Sequence, residues 1–189
     1  WYQSSILKDS KSLIQLDKEA STTSPGSDNL IFLPYLNGER TPHNNPNARG
    51  CFIGLHSGHS RGHLSRAIME GVSFSIKDSL NLFKENTPSK HNYIFTGGGS
   101  KSDLWSQILS DVLNVPIKRV LNDSGACVGA AMLSTVGLGW FRTTQEAVNA
   151  WVSYEEPLIP NESNCYNYEN MYRKFQLIYQ NLNPILWEN

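Results

Sequence analysis

The sequence predicts an α/β fold, because short apolar segments typical of buried strands alternate with longer segments whose apolar residues recur every three to four positions. Strand-like segments at 93–96 and 117–121 each lead through glycine into a helix-like segment. The segment 63–83 carries a one-sided apolar stripe typical of a long packed helix. With 189 residues, 39% of them hydrophobic, the chain is long enough to bury a core.

The first half of the chain is predicted to contain two helices and two short strands. In order, the segments are an amphipathic helix over 1–20, a loop over 21–29, a buried strand over 30–36, a polar loop from Asn37-Gly38 to Pro46, a strand over 51–55 and a one-sided helix over 63–83.

The second half repeats the order of strand, turn and helix. Its segments are a strand over 93–96, the turn Gly97-Gly98-Gly99, a capping-box pattern of Ser100 with Asp103, a helix over about 102–113, a strand over 117–121, a turn over 122–125, a small-residue helix from Ala126 and a terminal amphipathic helix from about 163.

Composition excludes several classes of protein. The formal net charge of -1 disfavours a nucleic-acid binder, because such proteins need a basic surface for the phosphate backbone. The apolar run 30–36 contains Pro34 and is far shorter than the roughly 20 residues of a membrane span. Cys51, Cys127 and Cys165 have no paired spacing, so we expect reduced thiols in a soluble cytoplasmic protein. The chain begins with Trp1 instead of Met, and we expect it to be a piece of a longer protein.

The triple glycine is the first candidate binding feature. Glycines at the end of a strand let backbone amides approach a ligand, and the helix that follows directs its free N–H groups to the same place. This arrangement suits a nucleotide, although the turn lacks the lysine of a P-loop and by itself is more typical of a tight strand-to-helix connection. Gly129 lies four residues after Gly125 in a helix-like segment, where we expect a close backbone or a ligand to offset the cost of glycine.

The histidines are a competing candidate for a metal site. His56, His59 and His63 lie within eight residues, and His43 could join them. Without a carboxylate or cysteine that completes a familiar pattern, we expect solvated loop histidines and no metal site. The triplet Glu39 to Thr41 fits either a phosphate-orienting group or a solvated turn.

From Leu30 to Leu138 the chain resembles the C-terminal domain of the FGGY family of carbohydrate kinases. The residues that carry the resemblance are the loop 32–46 and a signature made of Gly50, Phe52, Gly54-Leu55, seven further residues, His63-Leu64, two residues and Ala67-Ile68-Met69-Glu70. Loop 32–46 resembles the version found in family members that phosphorylate D-xylulose. The start of the chain, by contrast, matches the family only faintly.

The resemblance implies the C-terminal half of a two-domain sugar kinase with an actin-like, ribonuclease-H-like fold. Three parts are expected: a poorly matched helix and loop over 1–29, a nucleotide-binding domain over 30–160 and a terminal amphipathic helix over 161–189. The cofactors it implies are ATP and Mg²⁺. The partners are ATP, D-xylulose and an N-terminal kinase domain, with a homodimer left open.

The resemblance also implies which residues contact the nucleotide. The loop from Thr96 to Asp103 is similar to the adenosine-binding turn, and Gly98 and Ser102 fall where glycerol kinase, a relative, has nucleotide contacts. The expected nucleotide-binding residues are Gly97, Gly98, Gly99, Ser102 and Gly125.

No catalytic residue is expected in this chain, because the family's general base and most of its sugar contacts belong to the N-terminal domain. Two alternatives to a D-xylulose kinase stay open. One is a kinase of the same family for another pentulose, a hexulose or gluconate. The other is a noncatalytic nucleotide- or sugar-binding module, since a fold does not fix a function.

Overall fold

The computed structural model describes residues 1–8, 12–84, 93–121 and 125–187. Its strands are β1 (Ile31–Leu33), β2 (Cys51–Ile53), β3 (Tyr93–Phe95) and β4 (Ile117–Arg119). Its α-helices are α1 (Leu13–Ser21), α2 (Arg61–Lys84), α3 (Asp103–Leu113), α4 (Ala126–Gly137), α5 (Thr144–Trp151) and α6 (Glu162–Leu186). None of the helices in this described part of the chain combines the length and apolarity that a bilayer crossing requires.

The predicted order of strands and helices is confirmed for 30–83 and for 93–121, with strands shorter than expected. The single helix predicted over 1–20 is wrong. A π-helical turn over Tyr2–Leu7 ends at Lys8, whose left-handed backbone (φ 48°) stops the first helix. Helix α1 begins only at Leu13. The turn predicted at 122–124 lies outside the described residues.

Helix α5 was not predicted, although its start carries a recognisable signal. Thr143 accepts a hydrogen bond from the backbone N–H of Glu146 through its side chain, at 3.2 Å. The Glu146 carboxylate in turn accepts the backbone N–H of Arg142 at 2.8 Å. A threonine followed three residues later by glutamate is the capping pattern that marks a helix N-terminus.

Two small sheets contribute strands to a core covered by helices. β1 pairs antiparallel with β2, and β3 pairs parallel with β4 in the register Phe95 to Arg119. The largest core cluster lies where α2, α3 and α6 meet β1, and includes Leu33, Phe74, Ile108 and Phe175. Gly71 lets α2 approach β1 closely, because a Cβ there would lie 2.1 Å from the carbonyl oxygen of Phe32.

A buried ionic network ties the loop before β1 to α2 and α6. Glu70 accepts hydrogen bonds from the backbone N–H of Gly26, the hydroxyls of Ser27 and Tyr168, and Nε of Arg66, all at 2.8–2.9 Å. The side chains of Glu70 and Arg66 are both almost fully buried. Because each charge is paired and hydrogen-bonded, the network holds the loop without an uncompensated buried ion.

Candidate functional site

Two glycine corners follow the two strands of the parallel sheet in chain order. The first glycine corner, Gly97 to Ser102, follows β3, and the second glycine corner, Gly125 to Gly129, begins α4 beyond β4. Since β3 and β4 are parallel, their carboxyl ends meet at one edge. Ligands of α/β proteins bind beyond this edge of a sheet. The first glycine corner therefore starts at this edge, two residues beyond the end of β3.

The three glycines of the first corner have three different roles. Gly97 has a φ of +86°, which an L side chain rarely adopts. At Gly99, a Cβ would lie 2.9 Å from Cζ of Phe95 and 3.3 Å from the Trp105 ring, so packing excludes a side chain. At Gly98, no atom of the described residues lies within 4 Å of a Cβ position, and its φ is not positive. Of the three, Gly98 faces open space without a conformational or packing reason to be glycine.

The second glycine corner shows the same openness along α4. Gly125 has a φ of +60°, and Gly129 lies within the helix with no atom of the described chain within 4 Å of its Cβ position. Within the part of the chain that the structure describes, no backbone from another segment approaches the Cβ position of Gly129. The alternative expectation, a ligand against these small residues, stays a prediction.

Ser102 is the N-cap of α3, and both hydrogen-bonding roles of its hydroxyl are in use. Its Oγ accepts the backbone N–H of Trp105 at 2.9 Å and donates to Oδ1 of Asp17, on α1, at 2.6 Å. The capping box predicted for Ser100 with Asp103 is wrong, because Gly98–Lys101 forms a 3-10 turn and α3 starts two residues later. Ser100 donates instead to the carbonyl oxygen of Gly97 at 2.7 Å.

A carboxylate lies close to two of the histidines, which the residue spacing does not indicate. Asp28, His56 and His59, here called the Asp–His cluster, bring three potential ligand atoms within 4.8 Å of one another. Asp28 comes from a turn in which Ser27, Asp28 and Asn29 all have positive φ. Asp and Asn adopt this conformation more readily than most residues, but as single residues, so residue spacing does not indicate three successive left-handed residues that include Ser27.

The hydrogen bonds of the Asp–His cluster argue against a metal. Nδ1 of His59 accepts the backbone N–H of His56, and Nδ1 of His56 accepts that of Gly58, both at 3.1 Å. This pattern assigns the hydrogen of each neutral ring to Nε2. The Nε2 atoms then donate to the Asp28 carboxylate, at 3.2 Å from His56, and to the Asp28 carbonyl, at 3.3 Å from His59. A metal would need the lone pairs that these hydrogens occupy.

His43 and Glu39, two further candidates from the sequence, are not part of the Asp–His cluster. His43 stacks on the ring of Tyr179, with centroids 3.7 Å apart. Glu39 closes its own turn by accepting the backbone N–H of Thr41 at 2.6 Å, and burial foremost raises the pKa of the Glu39 carboxyl. The Glu39 carboxylate therefore stabilises its own turn through this hydrogen bond.

The fold defines the class of protein: it is the actin-like ATPase fold shared with solved sugar kinases. The chain belongs to the FGGY family of carbohydrate kinases, since the model of that family's C-terminal domain matches residues 3–138.

Individual relatives agree with this assignment. The chain is 38% identical to a xylulose kinase of Staphylococcus epidermidis over 161 residues, which are 85% of this chain and 32% of that protein. Among solved structures, ligand-bound xylulose kinase from Lactobacillus acidophilus matches with a TM-score of 0.85 and 30% identity. Gluconate kinase from the same organism matches with a TM-score of 0.84 and 30% identity. Each structural match covers 96% of this chain and 37% of the other, so the chain spans about a third of the length of its relatives.

Proposed function

We propose that this chain is the ATP-binding part of a kinase that transfers the γ-phosphoryl group of Mg-ATP to a hydroxyl of D-xylulose. The observation that supports it most directly is the glycine corner that follows each strand of the parallel sheet along the chain, with open space at Gly98 and Gly129. The matching xylulose kinases supply the substrate in this proposal.

Phosphoryl transfer requires mainly alignment of the nucleotide and stabilisation of charge, with a carboxylate to accept the hydroxyl proton. Helix α4 begins at the second corner, and the positive end of its dipole favours a phosphate-bearing ligand there. Mg²⁺ would neutralise phosphate charge and be held largely by phosphate oxygens and water, as this ion usually is. The carboxylates beside the first corner are already engaged, Asp17 by Ser102 and Asp103 by Arg119.

We place the proton-accepting carboxylate and most of the sugar contacts in an N-terminal domain of the whole kinase. We therefore expect the 189-residue chain alone not to phosphorylate D-xylulose. Removing a general base typically costs a factor of about 100 to 10,000 in rate, and the sugar site would be missing as well. A cytoplasmic location, where ATP is available, and a homodimer both stay predictions.

A second candidate substrate is gluconate, because a gluconate kinase matches the fold as closely as the xylulose kinase from the same organism does. Sugar identity would be decided by residues outside the corners described above. A noncatalytic nucleotide-binding module is the alternative from another class.

The test is a coupled assay of the whole kinase that contains this chain, with Mg-ATP and either D-xylulose, gluconate or glycerol. We expect turnover in the range of about 1 to 100 per second with D-xylulose and much lower rates with the other two. Faster turnover with gluconate would reassign the substrate. ATP binding without phosphorylation of any of the three would favour the noncatalytic module. Turnover at a comparable rate by the 189-residue chain alone would contradict the placement of the base.

A further inference from the structure

Arg119 lies beside the first glycine corner. It is the last residue of β4, opposite Phe95 of β3, and its side chain is only 15% exposed. β3 ends at Phe95 and the first glycine corner begins two residues later at Gly97, so the Arg119 guanidinium, which donates to Ser100, lies beside that corner.

The guanidinium group of Arg119 connects three segments of the chain. Nη1 donates to the carbonyl oxygen of Ser100 at 3.2 Å and to Oδ1 of Asp103 at 2.6 Å. On its other side, Nε donates to Oε2 of Glu155 at 2.7 Å, and Nη2 forms a short ion pair with the same oxygen. The backbone N–H of Glu155 also donates to the Arg119 carbonyl oxygen at 2.9 Å, which fixes Glu155 beside β4.

The charge of Arg119 is matched within the protein. Burial would lower the pKa of Arg119, but the hydrogen bonds and charges of Asp103 and Glu155 outweigh it and raise that pKa. Two carboxylates around one guanidinium leave a net charge of about -1, which does not attract a phosphate. Direct binding of the nucleotide's phosphates by this arginine is therefore disfavoured.

The carbonyl oxygen of Ser100 belongs to the 3-10 turn Gly98–Lys101, so the hydrogen bond from Arg119 holds the turn that begins with Gly98. We infer that Arg119 is a positioning residue, which keeps the first glycine corner in the geometry that receives the nucleotide. This inference rests on the proposed ATP site. Only a planar fork can donate to Ser100 and Asp103 on one side and to Glu155 on the other at once, and lysine has no such fork.

The test compares Arg119→Lys and Arg119→Ala in the whole kinase with the wild type and with Arg173→Lys. Arg173 serves as the control for the loss of an arginine–carboxylate pair on the surface, because it is an exposed arginine on α6 paired with Glu169. We expect Arg119→Lys to raise the KM for ATP at least tenfold, while kcat at saturating ATP and the KM for the sugar stay within about twofold. Arg173→Lys should change none of these values. In direct binding measurements, the affinities of Arg119→Lys for adenosine, ADP and ATP should fall by the same factor.

Two results would overturn the inference. A loss of affinity that is larger for ATP than for adenosine would mean that Arg119 binds phosphate directly. A lowered melting temperature with an unchanged KM for ATP would mean that its role is structural only. Where Arg119→Ala does not fold, Glu155→Gln tests the same role by weakening the ion pair between Arg119 and Glu155. We expect it to raise the KM for ATP roughly threefold. A wild-type kinase that binds no adenine nucleotide would instead refute the proposed function.

Discussion

Gly98→Val separates ligand contact from stability at the first glycine corner. No atom of the described residues lies within 4 Å of the Cβ position, and the backbone has no positive φ, so the fold has room for a side chain. We expect the free energy of unfolding to stay equal or to rise by about 0.4–1 kcal/mol, because glycine loses more chain entropy on folding than valine does.

A ligand that lies against Gly98 would meet the valine methyl groups. Inserting such groups into a filled space typically costs about 1–3 kcal/mol. Since 1.4 kcal/mol is a factor of ten, ATP affinity should fall roughly 5- to 150-fold. The KM for the sugar should change much less. Isothermal titration of the whole kinase with ATP, together with thermal unfolding of the same samples, measures both quantities.

Two glycine variants serve as controls for this experiment. Gly99→Ala should lower stability by about 1–3 kcal/mol, because its Cβ would lie 2.9 Å from the Phe95 ring and 3.3 Å from Trp105. Gly137→Ala changes an equally open glycine at the far end of α4, roughly 18 Å from its N-terminus, and should leave ATP binding unchanged. An unaltered ATP affinity in folded Gly98→Val would refute the reasoning and leave the triple glycine as a structural turn.

Three further predictions follow from other parts of the molecule. Maleimide should label Cys127 first, because Cys127 is exposed while burial raises the pKa of the Cys51 and Cys165 thiols. Mg-ATP should slow the labelling of Cys127, which mass spectrometry measures with Cys127→Ser as the control. Labelling at the same rate with and without Mg-ATP would argue against a ligand at the second corner. Glu70→Ala should lower the free energy of unfolding by about 3–5 kcal/mol, because it leaves the buried Arg66 charge unpaired; a loss below about 1 kcal/mol in urea unfolding would contradict this. The Asp–His cluster should bind no stoichiometric zinc, and elemental analysis of protein purified without a histidine tag would reveal an error.

Much of the fold was predictable because its signals are local. The order of strand, glycine and helix at 93–113 can be read from adjacent residues, and the stripe of α2 follows from helical periodicity alone. Helix α5 was missed although the pattern of Thr143 and Glu146 marks its start, so the signal was present but not used. The left-handed turn that carries Asp28 had no comparable local signal.

The division of labour within the candidate site could not be predicted. The family resemblance implies a nucleotide contact for Ser102. The structure places its hydroxyl between Asp17 and the start of α3, and these contacts depend on how α1 packs. The contribution of Arg119 is likewise visible only once β4, the first glycine corner and Glu155 meet in space. Side chains that act across segments carry no signature in residue spacing.

The two open glycines point to the same conclusion from different physical causes. Gly129 lies inside a helix, where glycine costs about 1 kcal/mol relative to alanine, and no atom of the described chain uses the space that its missing side chain leaves. Gly98 lies in a turn with a φ that any residue can adopt and with equally open surroundings. Gly97 and Gly125, in contrast, have positive φ values that account for glycine without a ligand. Gly137 in α4 is equally open, so openness alone does not indicate a ligand. Gly98 and Gly129 differ from it by lying near the starts of the two helices that follow the strands, and substitutions at these two positions should affect nucleotide binding more than they affect folding.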